Sequence, residues 1–378
     1  MSTNTIAPQA FYDLLGENDI DLFAGVPDSL LQDLAAYIDD TAPREKHVIT
    51  ANEGNAVALA GGYHIATGRY AAVYLQNSGL GNMVNPLLSL ADAEVYGLPM
   101  LLIVGWRGEP GVKDEPQHVA QGRLTLPLLE TMGIDHLVLD PDAWQAQVAT
   151  AIESLRTSHR PVALVVRKGL FARYAGTPRR TDLTLRREQA LEAIIDTIGP
   201  ADFVVSTTGK TSREVFEIRE RRGEGHANDF LTVGGMGHAS SIAMGMCLGT
   251  DRDVYCIDGD GAFLMHLGAI PVLAQRARDN LRYILINNGA HESVGGQPTV
   301  AFDIDIPAIL RAGGFAGVET VTTADEIAPA VRRLAASPRR ALVIEVAQGS
   351  RADLGRPTTT PVQNKNDMMG EFRVGHGR

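Results

Sequence analysis

Cysteine is scarce. Cys247 and Cys256 are the only two in 378 residues, and neither stands in a metal-ligand spacing. Two thiols in so long a chain point to a reducing compartment, the cytoplasm. No basic stretch followed by an apolar core opens the sequence, so a secretory leader is not expected. No uncharged apolar run reaches the roughly 18 residues that a membrane-spanning helix needs. Positive charge is in deficit: 34 Lys and Arg face 45 Asp and Glu, a formal charge of -11. That balance argues against nonspecific binding to nucleic acid or anionic membrane. Short-period repeats are also absent. What remains is an ordinary globular composition, 44% hydrophobic and 21% charged, long enough for two or three domains. Glycine is plentiful at 39 residues, and its clusters carry the chemistry.

Apolar, β-branched stretches alternate with helical ones in both halves. DLFAGVP (21–27), HVITA (47–51), YAAVYLQ (70–76), PMLLIVG (99–105) and PVALVVRKG (161–169) read as strands in the first half. ADFVVSTTG (201–209), DVYCIDGDG (253–261), LRYILINN (281–288) and ALVIEVAQ (341–348) do so in the second. Helical patterns cover 28–39, with Asp28 or Ser29 as cap, then 53–67, 81–96, 212–221, 238–249, 262–278 and 324–336. Apolar strands alternating with helices predict an α/β protein with two parallel sheets, each covered on both faces. The boundary falls in the polar segment around 172–188. The polar tail after Gly349 is expected to be a wrapping arm or disordered.

Gly259-Asp260-Gly261 closes one of these strands just before a helix. Glycines at a helix start let backbone N–H groups approach a phosphate. Asp260 would repel that phosphate unless a cation lay between them, and Mg²⁺ takes oxygen ligands from protein, phosphate and water. The next strand ends at Asn287-Asn288, and the 25 intervening residues (262–286) make one helix plus one strand. Parallel topology then brings the two strand ends together. An amide oxygen is a neutral hard ligand, suited to a place beside Asp260. The pattern resembles the cofactor motif of thiamine diphosphate enzymes, which opens on Gly-Asp-Gly and closes on Asn-Asn. The resemblance implies Mg²⁺ ligation by the side chains of Asp260 and Asn288, more than Asn287, and by the carbonyl of Ala290. It places Gly261 and Ala262 against the cofactor.

Two glycine strings miss other phosphate-loop patterns. Thr207–Ser212 contains Gly-Lys-Thr but has Val204 where a Walker loop needs glycine, and Gly234–Ser240 ends on serine where a dinucleotide fingerprint needs glycine. The resemblance gives both a place. Gly209, Lys210 and Thr211 match the loop that holds the diphosphate. Gly234 would offer a carbonyl to the 4′-amino group, and Met236, otherwise a core methionine, would wedge the cofactor into its bent shape.

In the first half Glu53 opens a helix of small residues: Ala56, Ala58, Ala60, Gly61 and Gly62. A first-turn glutamate is ordinarily a dipole-favoured surface residue. Thiamine diphosphate enzymes carry a glutamate at this point, which activates the cofactor at N1′ of its pyrimidine, usually across a subunit interface. Glu53 is therefore the expected activating residue, and a homodimer or higher homo-oligomer with two chains per site is implied. Larger 2-oxo acid decarboxylases of this kind have a middle domain, for which this chain has no room. The implied architecture is two thiamine diphosphate-binding domains, pyrimidine-binding over 1–175 and diphosphate-binding over 189–350. A linker at 176–188 joins them, and a tail follows at 351–378.

AGVPDSLL (24–31), NEGNAVALAGGYHIATG (52–68), QNSGLGNMVNPLLSL (76–90), GWRGEPGVKDEPQH (105–118) and NNGAHESVGGQPT (287–299) resemble the phosphonopyruvate decarboxylases, with sulfopyruvate decarboxylases nearest to them. The resemblance implies decarboxylation of a small anionic 2-oxo acid, 3-phosphonopyruvate, to phosphonoacetaldehyde and CO2. Thiamine diphosphate and Mg²⁺ would serve a step of phosphonate, including antibiotic, biosynthesis. Sulfopyruvate is the alternative substrate. A carboligase fits less well, and so does a noncatalytic cofactor-binding protein, because Glu53, Asp260 and Asn288 are intact. The loop after PMLLIVG offers Arg107, Lys113 and His118 at a strand end, where such sheets bind ligands. A phosphonate wants cations and N–H donors; the alternative is a solvated loop paired with Glu109, Asp114 and Glu115. Asp28 matches an active-site aspartate, or else is a plain helix cap. Ser29, His291 and Ser293 are further substrate candidates, and His118 and His291 are candidate proton shuttles.

Overall fold

The computed structural model describes residues 4–177 and 181–375. Residues 1–3, residues 178–180 of the expected linker, and residues 376–378 of the tail, His376 among them, lie outside the described residues. The chain divides into two compact units within the polar linker, and the first unit also takes in Ser293–Gln297.

Six parallel strands form the sheet of the first unit: β1 (Ile20–Gly25), β2 (His47–Ile49), β3 (Tyr70–Gln76), β4 (Leu101–Gly105), β5 (Asp135–Val138) and β6 (Val162–Val166). Their order is β2-β1-β3-β4-β6-β5. The second unit has β7 (Phe203–Ser206), β8 (Asp229–Leu231), β9 (Val254–Gly259), β10 (Leu281–Asn287), β11 (Gly317–Val321) and β12 (Arg340–Glu345). Its order, β11-β12-β10-β9-β7-β8, is the first order read from the other edge. The two halves therefore share a topology, as the alternation of their elements predicts.

Each sheet is buried on both faces, so its central strands read as continuous apolar runs. β3 sends Ala72 and Tyr74 into one core cluster and Ala71, Val73 and Leu75 into the other. In the second sheet Tyr255, Ile257, Ile284 and Ile286 face one way, and Val254, Cys256, Tyr283 and Leu285 the other. This is the period-2 alternation of a strand. Cys247 and Cys256 are both buried in that second core. Burial pushes the Cys247 thiol up to about 12, which removes it from thiolate chemistry.

Several elements depart from expectation. β5 and β11 are edge strands of mostly half-exposed residues, and β8, although mostly buried, is only three residues long, so periodicity does not reveal them. The helix expected over 262–278 is broken into Asp260–Met265 and Ala269–Arg276. The one expected over 81–96 is Leu80–Pro86 followed by a wider π turn, Leu87–Ala91. The first helix after β1 begins at Gln32. A helix at Arg187–Thr197 already starts inside the expected linker. No helix among the described residues is long and apolar enough to cross a membrane.

Of the two alternatives for the tail, the ordered one holds. Residues Pro361–Gly375 form a helix. Asn364 lies against the edge strand β8: its Nδ2 donates to the Asp229 carbonyl at 2.7 Å, and its Oδ1 accepts the Leu231 N–H at 3.2 Å. One carboxamide thus replaces a neighbouring peptide and blunts an exposed sheet edge. One helical turn further on, Met368 is buried in the core, and after another turn Phe372 stacks on Phe203 at 4.2 Å between ring centroids. Asn364→Ala leaves two buried backbone groups without partners and is expected to cost about 1–3 kcal/mol in urea unfolding. An unchanged unfolding midpoint would show that the edge does not depend on this side chain.

Candidate active site

In the first unit the strand order reverses between β1 and β3, and the residues of interest follow the C-terminal ends of β1, β2, β3 and β4. Parallel sheets bind ligands at such a reversal. Asp28 comes three residues after β1 and is fully buried. Its Oδ2 accepts the Leu30 N–H at 3.0 Å, so it closes the turn before the helix instead of capping the helix itself, whose cap position is Leu31. Its Oδ1 has no hydrogen-bond partner among the described residues. Burial pushes the carboxyl up to about 6, against the pull of the turn N–H groups and Arg107. A Cβ at Gly105, the last residue of β4, would lie 2.0 Å from Oδ2, so only glycine allows Asp28 this position.

Arg107 is mostly buried. It donates to Ser29 Oγ at 2.8 Å and forks onto Asp114, with Nε to Oδ2 at 2.8 Å and Nη2 to Oδ1 at 2.5 Å. Burial would raise Asp114, but Arg107 and the Gly108 N–H hold it below the usual carboxylate range. The expected pairing of Arg107 with Asp114 is therefore present, yet inside the protein and not in solvent. Glu109 pairs with Arg167 instead, at 2.9 Å, and Lys113 is exposed. Asn77, just after β3, braces the loop: it donates to the Arg107 carbonyl and to Thr125 Oγ1, both at 2.8 Å, and accepts the Arg107 N–H. Gly108 sits at φ 70° against Gly122, where a Cβ would come within 1.7 Å of the Gly108 oxygen. His118 is buried, and its Nδ1 has no hydrogen-bond partner among the described residues. Burial, and then the charge of Arg107, push it down to about 4. It is a neutral imidazole near pH 7 and not a charged acid.

Glu53 opens the helix Glu53–Thr67, whose cap Asn52 accepts the Asn55 N–H. It is 5% exposed, so the surface alternative does not hold. Asn82 Nδ2 donates to Oε2 at 2.7 Å. A Cβ at Gly79 would fall 2.2 Å from Oε1, so Gly79 makes room for the carboxylate. Neither Asn82 nor Gly79 is singled out by sequence reasoning, although both lie in a glycine-rich string after a strand.

In the second unit the order reverses between β7 and β9. After β7, Gly209 takes φ 98° and precedes the helix Lys210–Arg221, in which Thr211 is buried. Thr208 Oγ1 accepts the Gly234 N–H at 2.9 Å, tying this loop to a segment where Gly234, Gly235 and Gly237 all have positive φ. A Cβ on Gly261 would lie 3.1 Å from Met236 Cε and 3.0 Å from the His291 ring, so these three residues gather at one point. Ala262 is buried beside them. Burial pushes His291 down to about 4, again a neutral ring. Ser293 is exposed.

Pairing of Gly259 with Ile286 brings Asp260 to the end of β10. Asp260 is 3% exposed; Thr299 Oγ1 donates to it at 2.5 Å, and the backbone N–H groups of Asn288 and Gly261 also reach it. Burial lifts it to about 6, with no cationic side chain among the opposing influences. Asn287 closes its own turn, Oδ1 accepting the Gly289 N–H at 3.0 Å. Asn288 turns Nδ2 to Glu292 Oε2 at 2.8 Å, and among the described residues its Oδ1 accepts the Ala290 N–H alone, at 3.1 Å. Among the described residues no three His, Cys, Asp or Glu side chains are grouped for a metal. Asp260 is instead a buried carboxylate with no cationic partner among the influences on it, reached by the Asn288 backbone N–H, and together with the amide oxygen of Asn288 and the carbonyl of Ala290 it offers oxygen donors of the kind Mg²⁺ takes. Lys210 Nζ pairs with Glu292 Oε1 at 3.1 Å, and Glu292 also meets Arg187 at 2.8 Å. Sequence reasoning misses both Glu292 and Arg187.

Residues 7–128 match the family model described as the thiamine pyrophosphate enzyme N-terminal TPP binding domain, and residues 207–346 match the C-terminal one. The phosphonopyruvate decarboxylase of Streptomyces hygroscopicus is 36% identical over 359 residues, covering 89% of this chain and 87% of that protein. The phosphonopyruvate decarboxylase of Streptomyces viridochromogenes is 36% identical over 363 residues, covering 90% and 88%. The sulfopyruvate decarboxylase of Methanosarcina acetivorans is 27% identical over 351 residues, covering 86% and 87%. With both cofactor-binding domains matched and this identity sustained along nearly the whole of each relative, the chain belongs to the phosphonopyruvate decarboxylase family of thiamine pyrophosphate enzymes.

Proposed function

We propose that this chain decarboxylates 3-phosphonopyruvate to phosphonoacetaldehyde and CO2, as a step of phosphonate biosynthesis in the cytoplasm. The observation that carries this reading is the 36% identity to two phosphonopyruvate decarboxylases, against 27% to a sulfopyruvate decarboxylase of similar coverage. When bound, thiamine diphosphate supplies the electron sink that lets a 2-oxo acid lose CO2. Gly209, Lys210, Thr211, Gly261 and Ala262 would hold its diphosphate end, and Gly234 and Met236 its pyrimidine. Asp260, Asn288 and the Ala290 carbonyl would hold Mg²⁺.

Glu53, which accepts from Asn82, would hold a proton at the pyrimidine N1′. Arg107 uses three of its five N–H donors on Asp114 and Ser29. The other two suit the oxygens of a phosphonate, and Lys113 and Ser29 add a second cation and a hydroxyl. Asp28, with its value raised to about 6, is the group best matched to moving a proton near neutrality. His118 and His291, both held neutral, serve as hydrogen-bonding groups. Ser293 is a weaker candidate for the same task.

The chain acts as a homodimer or higher homo-oligomer, each site drawing on two copies. Separate sulfopyruvate decarboxylase subunits support such a division of labour: an alpha subunit from Methanococcus maripaludis matches 42% of this chain, and a beta subunit from Methanothermobacter thermautotrophicus 35%.

CO2 release from 3-phosphonopyruvate and 3-sulfopyruvate, with Mg²⁺ and thiamine diphosphate present, tests the assignment. The phosphonate is expected to lead in kcat/KM by more than about tenfold. Faster turnover of the sulfonate would favour the second reading, which the 27% relative supports. No turnover of either would leave a cofactor-binding protein.

A further inference from the structure

We propose that Glu292 is a positioning residue that sets which face of the Asn288 carboxamide meets the metal, with Arg187 holding Glu292 in place. The inference rests on the reading of Asp260, Asn288 and Ala290 as the Mg²⁺ donors. A carboxamide has an oxygen end and a nitrogen end of nearly the same shape, and only the oxygen can ligate a cation. Nothing in the shape of Asn288 prevents a flip; only a neighbour with fixed hydrogen-bond polarity does. Two such neighbours are present, the Ala290 N–H on the oxygen side and Glu292 on the nitrogen side, and Glu292 is the one a side-chain change can alter. As a carboxylate it accepts and never donates, so Asn288 must turn Nδ2 toward it, at 2.8 Å. Oδ1 then faces the other way. Its bond from the Ala290 N–H occupies one lone pair and leaves the second open.

Glu292 is itself held from two further directions. Arg187 Nη1 reaches Oε2 at 2.8 Å, and Lys210 Nζ reaches Oε1 at 3.1 Å. Arg187 is anchored in turn by a fork onto the buried Glu214, at 2.7 and 2.9 Å. Two cations and two carboxylates balance, so the cluster presents no net charge. The same Glu292 touches Lys210 of the diphosphate loop and Asn288 of the metal loop. It therefore fixes the donor of each relative to the other. Partners behind metal ligands commonly matter by 10–100-fold in metal affinity.

The test is Mg²⁺ affinity, measured by calorimetric titration of the full-length protein saturated with thiamine diphosphate. Glu292→Gln keeps the shape but offers both a donor and an acceptor, so Asn288 keeps only the Ala290 N–H to favour its orientation; Mg²⁺ affinity is expected to fall by about tenfold, the low end for partners behind metal ligands. The swapped pair Asn288→Asp with Glu292→Gln reverses the polarity. A carboxylate at 288 presents oxygen whichever way it turns, and the swap is expected to recover at least a third of wild-type affinity. Wild-type affinity in Glu292→Gln, or no recovery in the swap, would overturn the inference. Where Glu292→Gln fails to fold, the swapped pair decides alone, a loss beyond tenfold counting against the inference. Asn288→Ala separates this failure from that of the underlying reading. Unchanged affinity there overturns the metal assignment, and the inference with it; a loss there with none in Glu292→Gln overturns the inference alone.

Discussion

Glu53→Gln is expected to lower kcat for phosphonopyruvate by about 10²–10⁴-fold while leaving the fold and cofactor affinity nearly intact. The change is isosteric, so the space opened by Gly79 stays filled. A glutamine oxygen still accepts from Asn82, which preserves the local hydrogen bond. What disappears is the carboxylate's capacity to take and return a proton. The residues proposed to hold the diphosphate and the metal lie in the other unit and are untouched. Titration of the variant with thiamine diphosphate and Mg²⁺ should therefore give near wild-type binding, and single-turnover CO2 release should show the defect. Equal activity would remove Glu53 from the mechanism. The same variant tests whether two copies build each site. Mixed with Asp260→Ala protein and allowed to re-associate, it forms hybrids in which one site draws both intact residues from opposite copies. Random pairing of dimers makes half of them hybrid with one of two sites restored, or roughly a quarter of wild-type activity. If each site uses a single copy, the mixture stays as inactive as its parents.

The legible parts of the fold are those where burial alone dictates sequence. β3, β4, β6, β9 and β10 lie inside their sheets and read as apolar runs. β5, β8 and β11 are edge strands; β5 and β11 are mostly half-buried or exposed, β8 is only three residues long, and so none carries an apolar run. The site divides in the same way. Asp260, Asn288 and Glu53 sit at strand or helix ends, flanked by glycine or asparagine, so local sequence is enough to single them out as candidates. For their supports it is not. Glu53 meets Asn82 29 residues on, and Arg187 meets Glu292 105 residues on. Alone, Arg187 is a polar residue at a helix start, and only the packing shows what it holds. The tail did carry a signal. Asn364, Met368 and Phe372 recur every four residues, the spacing of one helix face, and these three side chains dock the helix.

Asp28→Asn should stabilise the protein at pH 8 while cutting kcat by about 10²-fold or more, because the charge proposed to serve the reaction burdens the fold. The carboxyl titrates near 6 in the folded chain, against 3.8 for a free aspartate, because burial penalises its ionised form more than the turn N–H groups and Arg107 relieve it. The folded state therefore binds this proton more tightly than the unfolded state. Between about pH 4 and pH 6 stability falls as pH rises, and above 6 the penalty is complete, on the order of 3 kcal/mol. Asparagine has the same shape, still accepts the Leu30 N–H, and carries no charge. Its advantage should be largest at pH 8 and vanish near pH 4, where the wild-type carboxyl is protonated as well. Urea unfolding of both proteins across that range gives the difference directly. A variant less stable at pH 8 would mean that Arg107 stabilises the ionised Asp28 outright, and the raised value would be wrong. Gly105→Ala approaches the same point sterically. Its Cβ would occupy the place of Asp28 Oδ2, so activity should fall although no titratable group changes. Loss of activity in both variants, with a gain in stability in only one, would separate the position of this carboxyl from its charge.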